Sequence, residues 1–139
     1  RRTVEEIPGG VRTTTESDSA DLVAELQAHV SSMYTHLDQG SEVTCMSSSL
    51  PTLFRRAADY QRQIMLTASG VAVVETSSDP ELTSSIRDHA RDVTIVYNLL
   101  QQPPMLHAIQ MLYHLPQQST LPTLYNKLMQ CRRVDCTRN

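Results

Sequence analysis

The chain has 139 residues, a formal net charge of −3, a pI near 5.9 and a mean hydropathy of −0.32. That length suits one domain around a single core, and the acidic balance argues against a general nucleic-acid binder. No run of about 18 apolar residues exists to cross a membrane.

Aromatic residues are scarce, with five Tyr, one Phe and no Trp. The core must therefore rest on Leu, Val, Ile, Met and Ala. Cys45, Cys131 and Cys136 form an odd, sparse set, which does not resemble a disulfide scaffold. The start at Arg1 fits either a chain trimmed of a targeting segment or a fragment.

Gly10 opens the first predicted element. Val11, Thr13, Thr14 and Thr15 are β-branched and favour a strand. Asp18 or Ser19 then caps a helix, with Asp21 adding negative charge to its first turn. Leu22, Leu26, His29, Met33 and Leu37 recur at helical spacing and form an amphipathic stripe. Gly40 is the expected stop.

Ser47, Ser48 and Ser49 read as a loop before a helix started at Pro51. Leu53, Phe54, Ala57, Ala58, Tyr60, Gln61 and Ile64 give that helix one face, ending near Leu66. Ala68, Ser69 and Gly70 turn into a second strand over Val71, Val73, Val74 and Thr76. Asp79 caps a helix whose first residue is Pro80, and Ser78 with Glu81 offers an alternative capping box. Leu82, Ile86, His89, Val93 and then Val96 or Tyr97 form its stripe.

Beyond Asn98 the texture changes. Pro103 and Pro104 interrupt the pattern, and Met105, Leu106, Ile109, Met111, Leu112 and Leu115 suggest a short helix ended by Pro116. A further helix is expected from Leu121 to Met129, before a polar tail.

Shifted by sixty positions, the segment from Gly10 to Met33 overlies the segment from Gly70 to Val93. Gly10 meets Gly70, Val11 meets Val71, Ser17 meets Ser77, Leu22 meets Leu82 and His29 meets His89. The matches fall on a turn glycine, a strand start and one helical face. The expected class is α+β: a β-α-α-β-α core with an internal repeat over residues 1–98, then a helical extension over 99–139. Two strands alone are marginal, so they should pair under the helices or extend across a homodimer.

The same residues resemble a group of small, mostly uncharacterised bacterial proteins, several of them exported. The shared features are Phe54 with Ala57 or Ala58, Gly70-Val71, Glu75-Thr76-Ser77, Asp79-Pro80, Ile86 and His89-Ala90, with His29, Val30 and Met33 upstream. The resemblance covers residues 5 to 95 and implies an exported or processed protein with no assigned activity. It stops at TIVYNLLQQPPM, where the group continues into an aromatic and a Gly-Met ending.

For chemistry, His29 and His89 stand out. If a pseudo-twofold axis relates the repeats, two imidazoles approach each other and, with Met33 as a soft ligand, suit copper, zinc or haem iron. His36 extends the same helix strip. The plainer reading gives each imidazole a half-buried helix position and a backbone or carboxylate partner. His107, Met111 and His114 repeat the spacing of His29, Met33 and His36, but Met-rich apolar helices are usually core or interface. No G-x-S-x-G, HExxH, P-loop or G-x-G-x-x-G motif occurs.

The expected function is therefore a non-catalytic accessory or interaction protein. It would contact a protein partner or itself through Met105, Leu106, Ile109, Met111 and Leu112. The alternative is a small transition-metal or haem binder using His29 and His89.

Overall fold

A computed structural model describes residues 1–40, 43–44, 47–100 and 132–133. The fold is α+β: a four-stranded antiparallel sheet with helices packed against it. Strand β1 (Arg2–Ile7) turns through Pro8-Gly9 into β2 (Gly10–Glu16), and helix α1 (Ala20–Asp38) follows. A short β3 (Val43–Thr44) pairs with β6 (Arg132–Arg133). Helix α2 (Leu50–Arg55) and a 3-10 turn at Ala57–Asp59 lead to β4 (Gln61–Thr67), β5 (Gly70–Thr76) and helix α3 (Pro80–Leu100).

The expected class holds, and the repeat gains a strand in each copy. The helix expected from Pro51 to near Leu66 stops at Arg55, and Gln61–Thr67 is a strand. The first copy likewise begins with an unanticipated strand, β1. Each unit is thus a hairpin followed by a helix, and the observed core order is β-β-α-β-α-β-β-α. Helix α3 also passes residue 98, the expected end of the core. The cysteines, His107, His114 and the segment from Met105 to Leu112 lie outside the described residues.

Sheet order is β1-β2-β5-β4, so the two hairpins meet at β2 and β5. Their register pairs Thr13 with Val73. Those residues are also equivalent under the sixty-residue shift. A local twofold axis therefore passes between them, and the later-unit counterpart of any residue lies across it. β1 and β4 form the outer edges, with Val4, Met65 and Leu66 exposed on them.

Both helices start at the expected caps. The Ser19 hydroxyl accepts from the Leu22 N–H, and Asp79 Oδ1 accepts from the Glu81 and Leu82 N–H groups at 2.8 and 3.2 Å. These bonds satisfy donors that the first turn leaves open. Helix α1 packs on β5 and α3 on β2, so each helix crosses to the other unit's hairpin.

The core is assembled from both units. Leu82, Ile86 and Ala90 of α3 close on Val11 of β2 and on Leu53 and Tyr60. Leu82 and Ile86 have no exposed surface. A second cluster joins Leu37 of α1 to Leu50 and Phe54 of α2. Among the described residues no helix is long and apolar enough to cross a membrane.

Candidate functional site

A cavity of about 460 Å³ lies over the sheet between α1 and α3. Its floor is formed by Thr13, Thr15, Val71, Val73 and Glu75, side chains of the helix-facing register of β2 and β5. Helix α1 contributes Leu26, His29, Val30, Met33 and Tyr34, while α3 contributes His89, Ala90, Val93 and Tyr97. Leu50, Leu53 and Phe54 close one side. Most of this wall is apolar, and a few polar groups converge on it, the usual make-up of a ligand pocket.

His29, Met33 and His89 all line this one cavity, as the repeat leads one to expect. His36 is not among its lining residues, and its Nδ1 is buried with no hydrogen-bond partner among the described residues. Among the described residues no group of three or more His, Cys, Asp or Glu is placed to hold a metal ion. Of the expected ligands the cavity brings together two imidazoles and one thioether, fewer donors than a closed structural site requires.

His89 has a defined polar environment. Its Nδ1 lies 3.3 Å from Ser47 Oγ, which donates to Asp92 Oδ2 at 2.7 Å and contacts Ser49 Oγ at 2.6 Å. The serine stands between the histidine and the acid. A nucleophile relay needs the histidine in the middle, so this arrangement orients the imidazole and does not activate Ser47. Burial, reinforced by the Arg2 charge and opposed by Asp92, lowers the His89 pKa to about 4. Burial also lowers the pKa of His29.

The other polar group is Glu75. It is only 8% exposed, and its Oε1 accepts from the Tyr34 hydroxyl at 2.9 Å. Burial raises the carboxyl pKa, against the pull of Tyr34, Arg62 and Arg2. The Tyr34 phenol is pushed well above its ordinary value by burial and by Glu75. The cavity therefore drives each of these four groups toward its neutral form.

Tyr34→Phe should cost about 1–3 kcal/mol, because it leaves a buried carboxyl oxygen without its donor. Tyr97→Phe, which removes no hydrogen bond formed among the described residues, should change stability by less than about 0.5 kcal/mol. Urea denaturation of both variants checks the pair; equal effects would show that the Tyr34 bond contributes nothing.

Arg2 closes the opposite pole. Its guanidinium donates to Thr15 Oγ1 at 2.7 Å, to Thr94 Oγ1 at 3.0 Å and to the Ala90 carbonyl at 3.5 Å. One side chain thus ties β1 to β2 and α3.

Sequence reading found the two histidines and Met33 because they repeat at equivalent helical positions. It missed Glu75, Tyr34, Ser47, Asp92 and Arg2. The alternation along β5 offered a signal for Glu75, since Val71, Val73 and Glu75 share one face. Its partner lies 41 positions away on another element, and local spacing carries no trace of that.

No family model matches the sequence, and neither a curated protein nor a solved structure is detectably similar to it. The fold and the cavity define the class: a two-layer α+β protein in which paired ββα units enclose a ligand-sized cleft.

Proposed function

We propose that this chain is a non-catalytic binding module that takes a small, largely apolar molecule into the cleft between α1 and α3. One observation carries the reading: the cavity of about 460 Å³ with its apolar wall and few convergent polar groups. Ligand pockets generally fall between about 300 and 1,000 Å³. A partner helix, about 10–12 Å across with its side chains, needs more room than this, which favours a small molecule as the occupant.

Nile red, an uncharged dye whose emission shifts in apolar surroundings, provides the test. The expected result is saturable one-to-one binding that weakens when Val73→Phe or Val30→Trp fills the cleft. Val73 lies on the floor beside the local axis and Val30 on the wall. Absence of saturable binding, or binding unchanged in both folded variants, would remove the proposal.

Contact with a protein partner through Met105, Leu106, Ile109, Met111 and Leu112 concerns residues outside the described part and draws no support from this geometry. A second reading, binding of copper, zinc or haem, is favoured by the presence of His29, Met33 and His89 on one cavity. Metal analysis and an absorbance spectrum of wild type and of the His29→Ala, His89→Ala double variant test it. Equal metal content in the two proteins would rule it out.

A further inference from the structure

The local twofold pairs the two poles of the cavity with each other. Under the sixty-residue shift Arg2 corresponds to Arg62, Thr15 to Glu75 and Thr94 to Tyr34. In the first pole the Arg2 guanidinium bridges the hydroxyls of Thr15 and Thr94. In the second pole the corresponding residues, Glu75 and Tyr34, bond directly to each other.

The corresponding cation does not bridge them. Arg62 donates to Asp38 Oδ1 at 2.8 Å and to the Ala57 carbonyl, and its guanidinium sits 4.8 Å from the centroid of the Tyr60 ring. No ion pair reaches Glu75 among the described residues. Its Oε1 accepts the hydrogen bond donated by the Tyr34 hydroxyl, while Oε2 accepts no hydrogen bond among them. A carboxylate that is nine-tenths buried needs a partner of opposite charge or a proton.

We infer that the occupant of the cleft is an apolar amine whose ammonium lies on Glu75 beside Tyr34, where the guanidinium lies in the other pole. This inference rests on the cleft reading above and specifies its ligand class. The ammonium donates to Oε2, the Tyr34 hydroxyl holds Oε1 in place, and the alkyl body covers Val71 and Val73. The rings of Tyr34 and Phe54 also line this cavity.

The other titratable groups that face Glu75 come from all the surrounding elements, and among them Arg62 and Arg2 act on its carboxyl without forming an ion pair with it among the described residues. Burial lowers the pKa of His29 on α1 and of His89 on α3, which disfavours a positive charge on either. Tyr60 is pushed up to about 12, chiefly by burial. The Arg62 charge is offset by Asp38 on the β4 side, whereas Arg2, held by the neutral Thr15, Thr94 and Ala90 carbonyl on the β1 side, keeps its charge and acts on Glu75 from the other pole.

Octylamine, 1-octanol and octanoate share one chain and differ in headgroup charge. Calorimetric titration of each into the full chain tests the inference without the dye. Octylamine should bind at least about tenfold more tightly than 1-octanol, with octanoate weakest. In Glu75→Gln, whose amide oxygen still accepts from Tyr34, the amine preference should vanish while 1-octanol binds as before. An alcohol that matches the amine, an acid that surpasses it, or a preference that survives Glu75→Gln would overturn the inference. Absence of binding by all three would overturn it as well. Nile red binding that persists in any of these cases would leave the cleft reading standing and the amine assignment refuted.

Discussion

Gly70→Ala should destabilise the fold by about 3 kcal/mol or more, and Gly10→Ala by a similar amount, the upper end of what single overpacking changes cost. A Cβ on Gly70 would lie 1.9 Å from the Thr15 carbonyl oxygen, and one on Gly10 would lie 1.8 Å from the Glu75 carbonyl oxygen. Both contacts are with backbone, so no side chain can swing aside. Gly10 pairs with Thr76 and Gly70 with Glu16 at the two ends of the β2–β5 ladder. Relief therefore requires separating the two units where they join. Gly40→Ala is the control. Its added Cβ meets nothing within 4 Å among the described residues, and its left-handed backbone, φ +66°, is unfavourable by about 1–2 kcal/mol. Denaturant unfolding of the three variants gives the comparison. Gly70→Ala no worse than Gly40→Ala would show that β2 and β5 do not meet as described.

Lowering the pH should remove stability from the wild type that His89→Asn retains. The imidazole titrates at its ordinary 6.5 when unfolded and at about 4 when folded. Between those values the unfolded chain binds the extra proton. The stability linked to neutral His89 is thus complete above pH 6.5, declines as pH falls, and is lost below about 4. The full span corresponds to on the order of 3 kcal/mol. Glu75 acts with the opposite sign. Its raised folded pKa favours the folded state as pH falls, so the wild-type profile alone does not isolate the histidine. The difference between wild type and His89→Asn does, because Glu75 is common to both. Urea titrations at about pH 7 and about pH 4.5 should show the variant losing about 2–3 kcal/mol less than the wild type. Parallel losses would mean that His89 is not held neutral in the folded protein.

The repeated glycines let the units join along β2 and β5, and that joining encloses the repeated histidines. Gly10 and Gly70 were visible in the sequence as turn residues. Their closer role, making room for a carbonyl of the other unit, depends on which strands are neighbours.

Helices α1 and α3 were legible because each carries its own information: an N-cap at Ser19 or Asp79 and an apolar stripe at helical spacing. β2 and β5 were legible from β-branched residues after a glycine. The class, the repeat and the histidines' equivalent positions follow from such local signals. β1 and β4 were not legible. Arg2–Ile7 is mostly charged or exposed, and Gln61–Thr67 continues an apolar spacing that reads as helix until the 3-10 turn at Ala57–Asp59 breaks it. These edge strands exist because β2 and β5 each present a row of backbone donors and acceptors that must be paired, and that demand comes from elsewhere in the chain. The pairing of Glu75 with its Tyr34 donor and the Ser47 beside His89 were hidden for the same reason. Hydrogen-bond partnership belongs to pairs of residues brought together from distant positions, and residue spacing along one element records the buried face but not the partner.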